Sequence, residues 1–153
     1  MNFKKLNSNL KTLIIMHTAM LIAQILLAAI VYYINHNNTS DLDNDFSRKI
    51  QMIITGIAVF SVVAALFLFK KNIEKLKNIQ ALNEKILKYR QASIIKFALL
   101  EFATFVAIIG YFVTLGTSFL VFAAVLIAFF ALQKPTVLAM TNYLEVREND
   151  LME

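Results

Sequence analysis

Residues 94–113 read IIKFALLEFATFVAIIGYFV, and this stretch decides the fold of the chain. A helix of about 20 residues spans ~30 Å, which is the thickness of the hydrocarbon layer of a bilayer. Its only charged residues are Lys96 near the start and Glu101 near the middle. The stretch therefore predicts a membrane-spanning helix with one carboxylate close to mid-depth.

The composition of the whole chain points to the same environment. Of its 153 residues, 59% are apolar and 13 are phenylalanine. A soluble domain of this size has too little interior to bury that much apolar surface, so lipid is the expected partner for the remainder. The chain has no cysteine, which excludes disulfides, thiolate metal sites and cysteine nucleophiles.

Four apolar segments of this kind divide the chain. The predicted spans cover about residues 13–34, 52–69, 92–113 and 118–133. A cleavable signal peptide is the alternative for the first, but that segment is long for one and no small-residue cleavage site follows it. The short connection at Thr114–Ser118 makes the last two spans adjacent and antiparallel. Gly116 is its residue best able to adopt a positive φ.

The segment between the second and third spans, residues 70–91, contains neither proline nor glycine. Its apolar residues recur at three- and four-residue steps, which predicts that both spans continue as helices and turn near Asn78–Asn83. The resulting helical hairpin is either a docking surface for a partner or a plain connector.

Lys134-Pro135-Thr136 then ends the fourth span, and the tail 134–153 is expected to form a short helix at the membrane surface or against the hairpin.

The hydrophilic loop 35–49 contains three aspartates that resemble the start of a calcium loop. These are Asp41, Asp43 and Asp45. Phe46 and Met52 stand where an EF-hand requires glycine and glutamate, so the pattern favours a solvated turn and no metal site.

The lysines and arginines predict the orientation. They concentrate before the first span and between the second and third spans, which places both termini and the hairpin in the cytoplasm under the positive-inside rule. This placement explains the net charge of +5 without a nucleic-acid partner. The lysines that mark the membrane boundary are Lys70, Lys71, Lys96 and Lys134, and the stem of Lys96 is long enough to snorkel to the headgroups.

The fold predicted from these features is all-α: one integral membrane domain over residues 1–153, a four-helix bundle made of two helical hairpins. Spans two and three are expected to continue as helices beyond the membrane into the cytoplasm. Residues 89–111, YRQASIIKFALLEFATFVAIIGY, and 134–146, KPTVLAMTNYLEV, resemble a group of small uncharacterised bacterial inner-membrane proteins. That resemblance implies the same membrane and a helical fold, and it brings no assigned activity.

The polar residues inside the spans are the candidate site. Glu101 shares a helix face with Thr104, and His17 shares one with Gln24. If the first and third spans begin at similar depth, Leu21 lies level with Glu101, and His17 and Gln24 come within reach of its carboxylate. The cluster is then either a structural hydrogen-bonded contact between helices or a titrating site that carries a proton or a cation.

The sequence contains no catalytic motif and no cofactor-binding motif that we recognise. Ser-His-Asp order, a P-loop, a dinucleotide fingerprint and a carboxylate pair are all missing. We therefore expect a non-enzymatic accessory or structural subunit of a larger inner-membrane complex, with other membrane subunits or a second copy as partners. The alternative is a small proton- or cation-coupled transporter built on Glu101 and His17.

Overall fold

The computed structural model describes residues 2–38 and 44–144, with side chains for residues 8–38 and 48–144. That part of the chain forms five helices: α1 (Asn2–Asn35), α2 (Asn44–Leu76), α3 (Leu82–Thr114), α4 (Thr117–Leu132) and α5 (Val137–Leu144). The three loop aspartates considered for calcium, and the tail beyond Leu144, lie outside the described backbone or side chains. The all-α class is confirmed.

Three of the helices are long and apolar enough to cross a membrane. These segments are Ser8–Asn35, Arg48–Leu76 and Leu82–Thr114, and each contains one of the first three expected spans. Helix α4 has only 16 residues. It passes the same test only together with α5, from which it is bent by 69°. The fourth expected span is thus a short helix followed by a break.

Helix α3 lies at the centre of the fold and packs against all four other helices. Helices α1 and α2 make almost no contact with each other, so the first of the two expected hairpins is not a packed pair. The connection between them is longer than the α3–α4 turn and does not force them together. Helix α2 packs along α3 instead, and Ser61 Oγ donates to the Leu99 carbonyl at 2.8 Å across that pair.

Helices α1 and α3 run parallel and in register. Near their starts, Arg90 donates to the Asn9 side-chain oxygen at 3.0 Å, and near their ends Asn35 donates to the Phe112 carbonyl at 3.4 Å. Leu21 therefore lies level with Glu101, as expected from two spans that begin at similar depth.

The apolar stripe of the α2–α3 hairpin is covered by the chain itself. Helix α2 continues to Leu76 and α3 begins at Leu82, which confirms the helical period read from the sequence. Ile86 and Tyr89 are buried in one cluster with Met140 and Leu144 of α5. Helix α5 thus packs against part of the hairpin's apolar stripe.

The turn between α3 and α4 differs from the expectation. Leu115, not Gly116, adopts the left-handed conformation, with φ of 54°. The N–H of Leu115 closes α3 on the Tyr111 carbonyl, while Gly116 is extended and begins α4. Thr114 Oγ1 accepts from the N–H of Gly116 at 3.2 Å. With these bonds in place, the positive φ falls on Leu115. The presence of a glycine at position 116 does not predict this.

Candidate functional site

His17 lies on the buried face of α1 and reaches the end of α4. It is 2% exposed, and its Nε2 lies 2.9 Å from the Phe130 carbonyl. A carbonyl only accepts hydrogen bonds, so Nε2 carries the hydrogen and donates it. The Phe130 carbonyl lies in the last turn of α4, where it also accepts from the backbone N–H of Gln133 at 2.9 Å. A carbonyl oxygen has two lone pairs and can accept both hydrogen bonds.

Pro135 explains why α4 ends there. Proline has no N–H for the ladder, and its ring disfavours helical conformation at the preceding residue, Lys134. Gln133 closes the helix by donating its backbone N–H to Phe130, the residue that His17 also binds. The break between α4 and α5 therefore exposes backbone acceptors inside the protein.

Two aromatic rings hold the imidazole in place. The ring of His17 stacks on Phe130 with centroids 4.6 Å apart and planes 4° apart. It also meets the edge of Phe97 at 5.1 Å. Together with the hydrogen bond, these contacts join α1, α3 and α4 at one point beside the break.

Lys96 extends into the same region from α3. Its side chain is only 9% exposed, and Nζ donates to Oε1 of Gln133 at 3.2 Å. The ammonium also lies 4.2 Å from the ring centroid of Phe69, close enough for a cation–π contact. The expectation of a freely snorkelling boundary lysine therefore differs from the structure, in which the ammonium turns inward to the break. Lys70, Lys71 and Lys134 are exposed.

A cavity of about 160 Å³ lies beside Lys96 and Gln133, which we call the break cavity. Its polar lining residues are Tyr89, Ser93, Lys96, Gln133, Lys134 and Tyr143. Tyr89 and Ser93 are buried. Tyr89, Ser93 and Gln133 were not among the site residues expected from the sequence. The signal that could have indicated this place is the Lys-Pro-Thr closure, because a proline that ends a helix interrupts the backbone hydrogen bonds there.

Glu101 lies apart from this site, on the edge of the packed face of α3. It is partly exposed, whereas Phe97 one turn earlier is buried and Phe102 next to it is 51% exposed. Within the part of the chain whose side chains are described, no hydrogen bond or ion pair joins Glu101 to any residue. The polar cluster that the sequence suggested is therefore not assembled around its carboxylate.

Gln24 and Thr104 are both fully buried and lie at the same level of α1 and α3. Thr104 donates to the Leu100 carbonyl of its own helix at 3.2 Å. Neither the oxygen nor the nitrogen of the Gln24 side-chain amide has a hydrogen-bond partner. Of the four residues expected to cluster, His17, Gln24 and Thr104 are thus buried in the bundle, but no hydrogen bond joins any two of them.

A metal centre does not form among the residues described. No three His, Asp or Glu side chains come together there. The chain matches no protein-family model. It also matches no curated protein and no solved structure.

Proposed function

We propose that this chain is a non-enzymatic accessory subunit of a bacterial inner-membrane complex. It would cross the bilayer four times with both termini in the cytoplasm, and bind another membrane protein through the edge of α3 that carries Glu101. The observation that carries this proposal is the carboxylate of Glu101. It is partly exposed on a helix that is apolar enough to span a membrane, and no described residue bonds to it.

Such a carboxylate is costly in lipid. A charged side chain at the centre of a bilayer costs ~3 kcal/mol or more on insertion scales, and such residues normally face another helix or water. The outer surface near Glu101 is apolar: the neighbouring Phe102 is about half exposed, and so is Phe112 about three turns further along α3. A partner helix that presents a hydrogen-bond donor among apolar side chains would satisfy the carboxylate and cover these rings.

The fourth crossing in this proposal is α4. At 1.5 Å per residue its 16 residues reach about 24 Å, somewhat less than the hydrocarbon thickness. A bilayer thins locally around a short span at modest cost. The exposed Lys134 at its end then lies at the headgroups.

The transporter alternative gains no support from the packing. A proton relay from Glu101 to His17 needs a hydrogen-bonded path, and His17 donates instead to the Phe130 carbonyl. Gln24, which lies beyond Leu21 on the same face, has no hydrogen-bond partner at all.

The test is isolation of the tagged full-length chain from its native membranes in a mild detergent. We expect the native chain to bring down a membrane protein in fixed stoichiometry. Glu101→Leu should lose that protein while it keeps its helical circular dichroism and its elution volume. Glu74→Gln, an exposed glutamate on the hairpin, is the matched control and should retain the partner.

Other results have distinct meanings. A monodisperse homomer from native membranes, or a partner that survives Glu101→Leu, would contradict the proposal. Ion flux into proteoliposomes that disappears in Glu101→Gln would favour the transporter instead.

A further inference from the structure

The break cavity combines a buried positive charge with several hydrogen-bond donors. We propose that it binds a phosphate group, presented by the headgroup of an anionic phospholipid. This site is separate from the surface around Glu101, so the proposal does not depend on the proposed function.

No described residue balances the charge of Lys96. The residue is only 9% exposed, yet its hydrogen-bond acceptor is the neutral amide oxygen of Gln133. No carboxylate within residues 8–38 and 48–144 forms an ion pair with Lys96 or with Lys134. A buried cation is normally paired with an anion, because removing it from water is expensive.

Two lysines and one helix N-terminus border this place. Lys96 and Lys134 both line the break cavity. Helix α5 begins at Val137, and Pro135 and Ala139, on either side of that position, both line the cavity. The positive end of the α5 dipole therefore borders the cavity. The local field therefore favours an anion.

The cavity lining supplies donors that match phosphate oxygens. Lys96 has three N–H donors, of which the Gln133 amide oxygen accepts one. The hydroxyl-bearing residues Tyr89, Ser93 and Tyr143 line the same cavity. Tyr89 and Ser93 are hydrogen-bonded to each other, which leaves one donor of that pair and the Tyr143 hydroxyl for a ligand. Charge-assisted bonds from such donors to phosphate oxygens are about twice as strong as neutral ones.

The size and place of the cavity favour a headgroup over an enclosed metabolite. Its volume of about 160 Å³ is smaller than the ~300 Å³ or more of pockets that enclose whole small molecules. Lys96 lies over Phe69, next to the exposed Lys70 and Lys71, which mark the polar end of α2. Such exposed lysines mark the level of the lipid headgroups.

The test uses the purified full-length chain in a non-ionic detergent at constant ionic strength. It is titrated separately with dioctanoyl phosphatidylglycerol, dioctanoyl phosphatidylcholine and sodium phosphate, and binding is followed by calorimetry and native mass spectrometry. We expect one phosphatidylglycerol per chain. The loss of a charge-assisted contact should weaken its binding to Lys96→Met about tenfold or more. Lys71→Met removes an exposed lysine outside the cavity and should change the affinity by no more than about twofold.

Equal binding of phosphatidylglycerol and phosphatidylcholine, or equal effects of Lys96→Met and Lys71→Met, would overturn the proposal. Binding of inorganic phosphate that depends on Lys96, without binding of phosphatidylglycerol, would overturn the lipid source and assign the site to free phosphate. If Lys96→Met does not fold, Lys134→Gln combined with Ser93→Ala takes its place. That double variant should show the same loss, and unchanged binding would reject the site.

Discussion

Two levels of the bundle differ in whether their buried polar side chains are hydrogen-bonded. Beside the α4–α5 break, His17 bonds to Phe130 and Lys96 bonds to Gln133. About two helical turns further along α1, the amide of Gln24 bonds to nothing. The difference lies in which polar groups the packing brings within reach. At the break, the Phe130 carbonyl and the Gln133 side chain lie beside His17 and Lys96, whereas no described group bonds to the Gln24 amide.

The largest effect on stability is expected from His17→Ala, at the level where the buried side chains are hydrogen-bonded. This change removes the donor to Phe130 and a ring that packs between two phenylalanines, so the free energy of unfolding should fall by about 3 kcal/mol. His17→Phe keeps the ring contacts and should lose only about 1 kcal/mol, the worth of one buried hydrogen bond. Reversible unfolding in mixed detergent micelles measures both.

His36 is the matched control for these variants, because it is exposed and bonds only within its own turn. His36→Ala should change stability by less than about 0.5 kcal/mol. Equal losses in His17→Phe and His17→Ala would mean that the hydrogen bond, and not the packing of the ring, dominates at the break.

The next largest effect is expected from Gly110→Ala, in the half of α3 beyond Glu101. A Cβ at Gly110 would lie 2.8 Å from the ring of Phe119 and 3.0 Å from Ile54, so the variant should lose about 2 kcal/mol through overpacking. Gly56 on α2 has nothing within 4 Å of such a Cβ, and Gly56→Ala should gain about 0.5–1 kcal/mol from helix propensity. Similar results for the two would show that α3 and α4 do not approach closely at Gly110.

Gln24→Met tests the other level, where the buried amide of Gln24 has no hydrogen-bond partner among the described residues. Methionine has nearly the same shape and removes two buried polar atoms that lack partners, so the variant should be more stable by about 1–2 kcal/mol. The unfolding assay should show no comparable gain for Gln80→Met, because Gln80 is exposed in the hairpin turn. A loss of stability in Gln24→Met would reveal a bond to the amide in the membrane.

The smallest effect is expected at the α3–α4 turn. Glycine adopts the left-handed conformation of position 115 without strain, but Leu115→Gly also loses side-chain contacts. The free energy of unfolding should rise by about 0.5 kcal/mol net. Leu115→Ala loses the same contacts without the relief and should be less stable than the native chain. If both variants lose equally, the positive φ carries no strain.

Sequence reasoning selected the right buried residues but the wrong arrangement. His17, Gln24 and Thr104 are buried, and α1 and α3 have the expected register. The bond expected between Glu101 and His17 does not form, because the rotation of each helix about its own axis decides which side chains meet. That rotation depends on packing against several helices at once, and a helical period read on one segment does not contain it.

By itself, the sequence determined the helical class, three apolar segments long enough to cross a membrane, and the place where proline ends the fourth helix. These follow from local rules: hydropathy, helix length and the missing N–H of proline. Only the tertiary structure decided that α3 is central, that Lys96 turns inward, and that His17 satisfies the end of α4. Those outcomes depend on which groups meet once all the helices are packed, and no single segment specifies that.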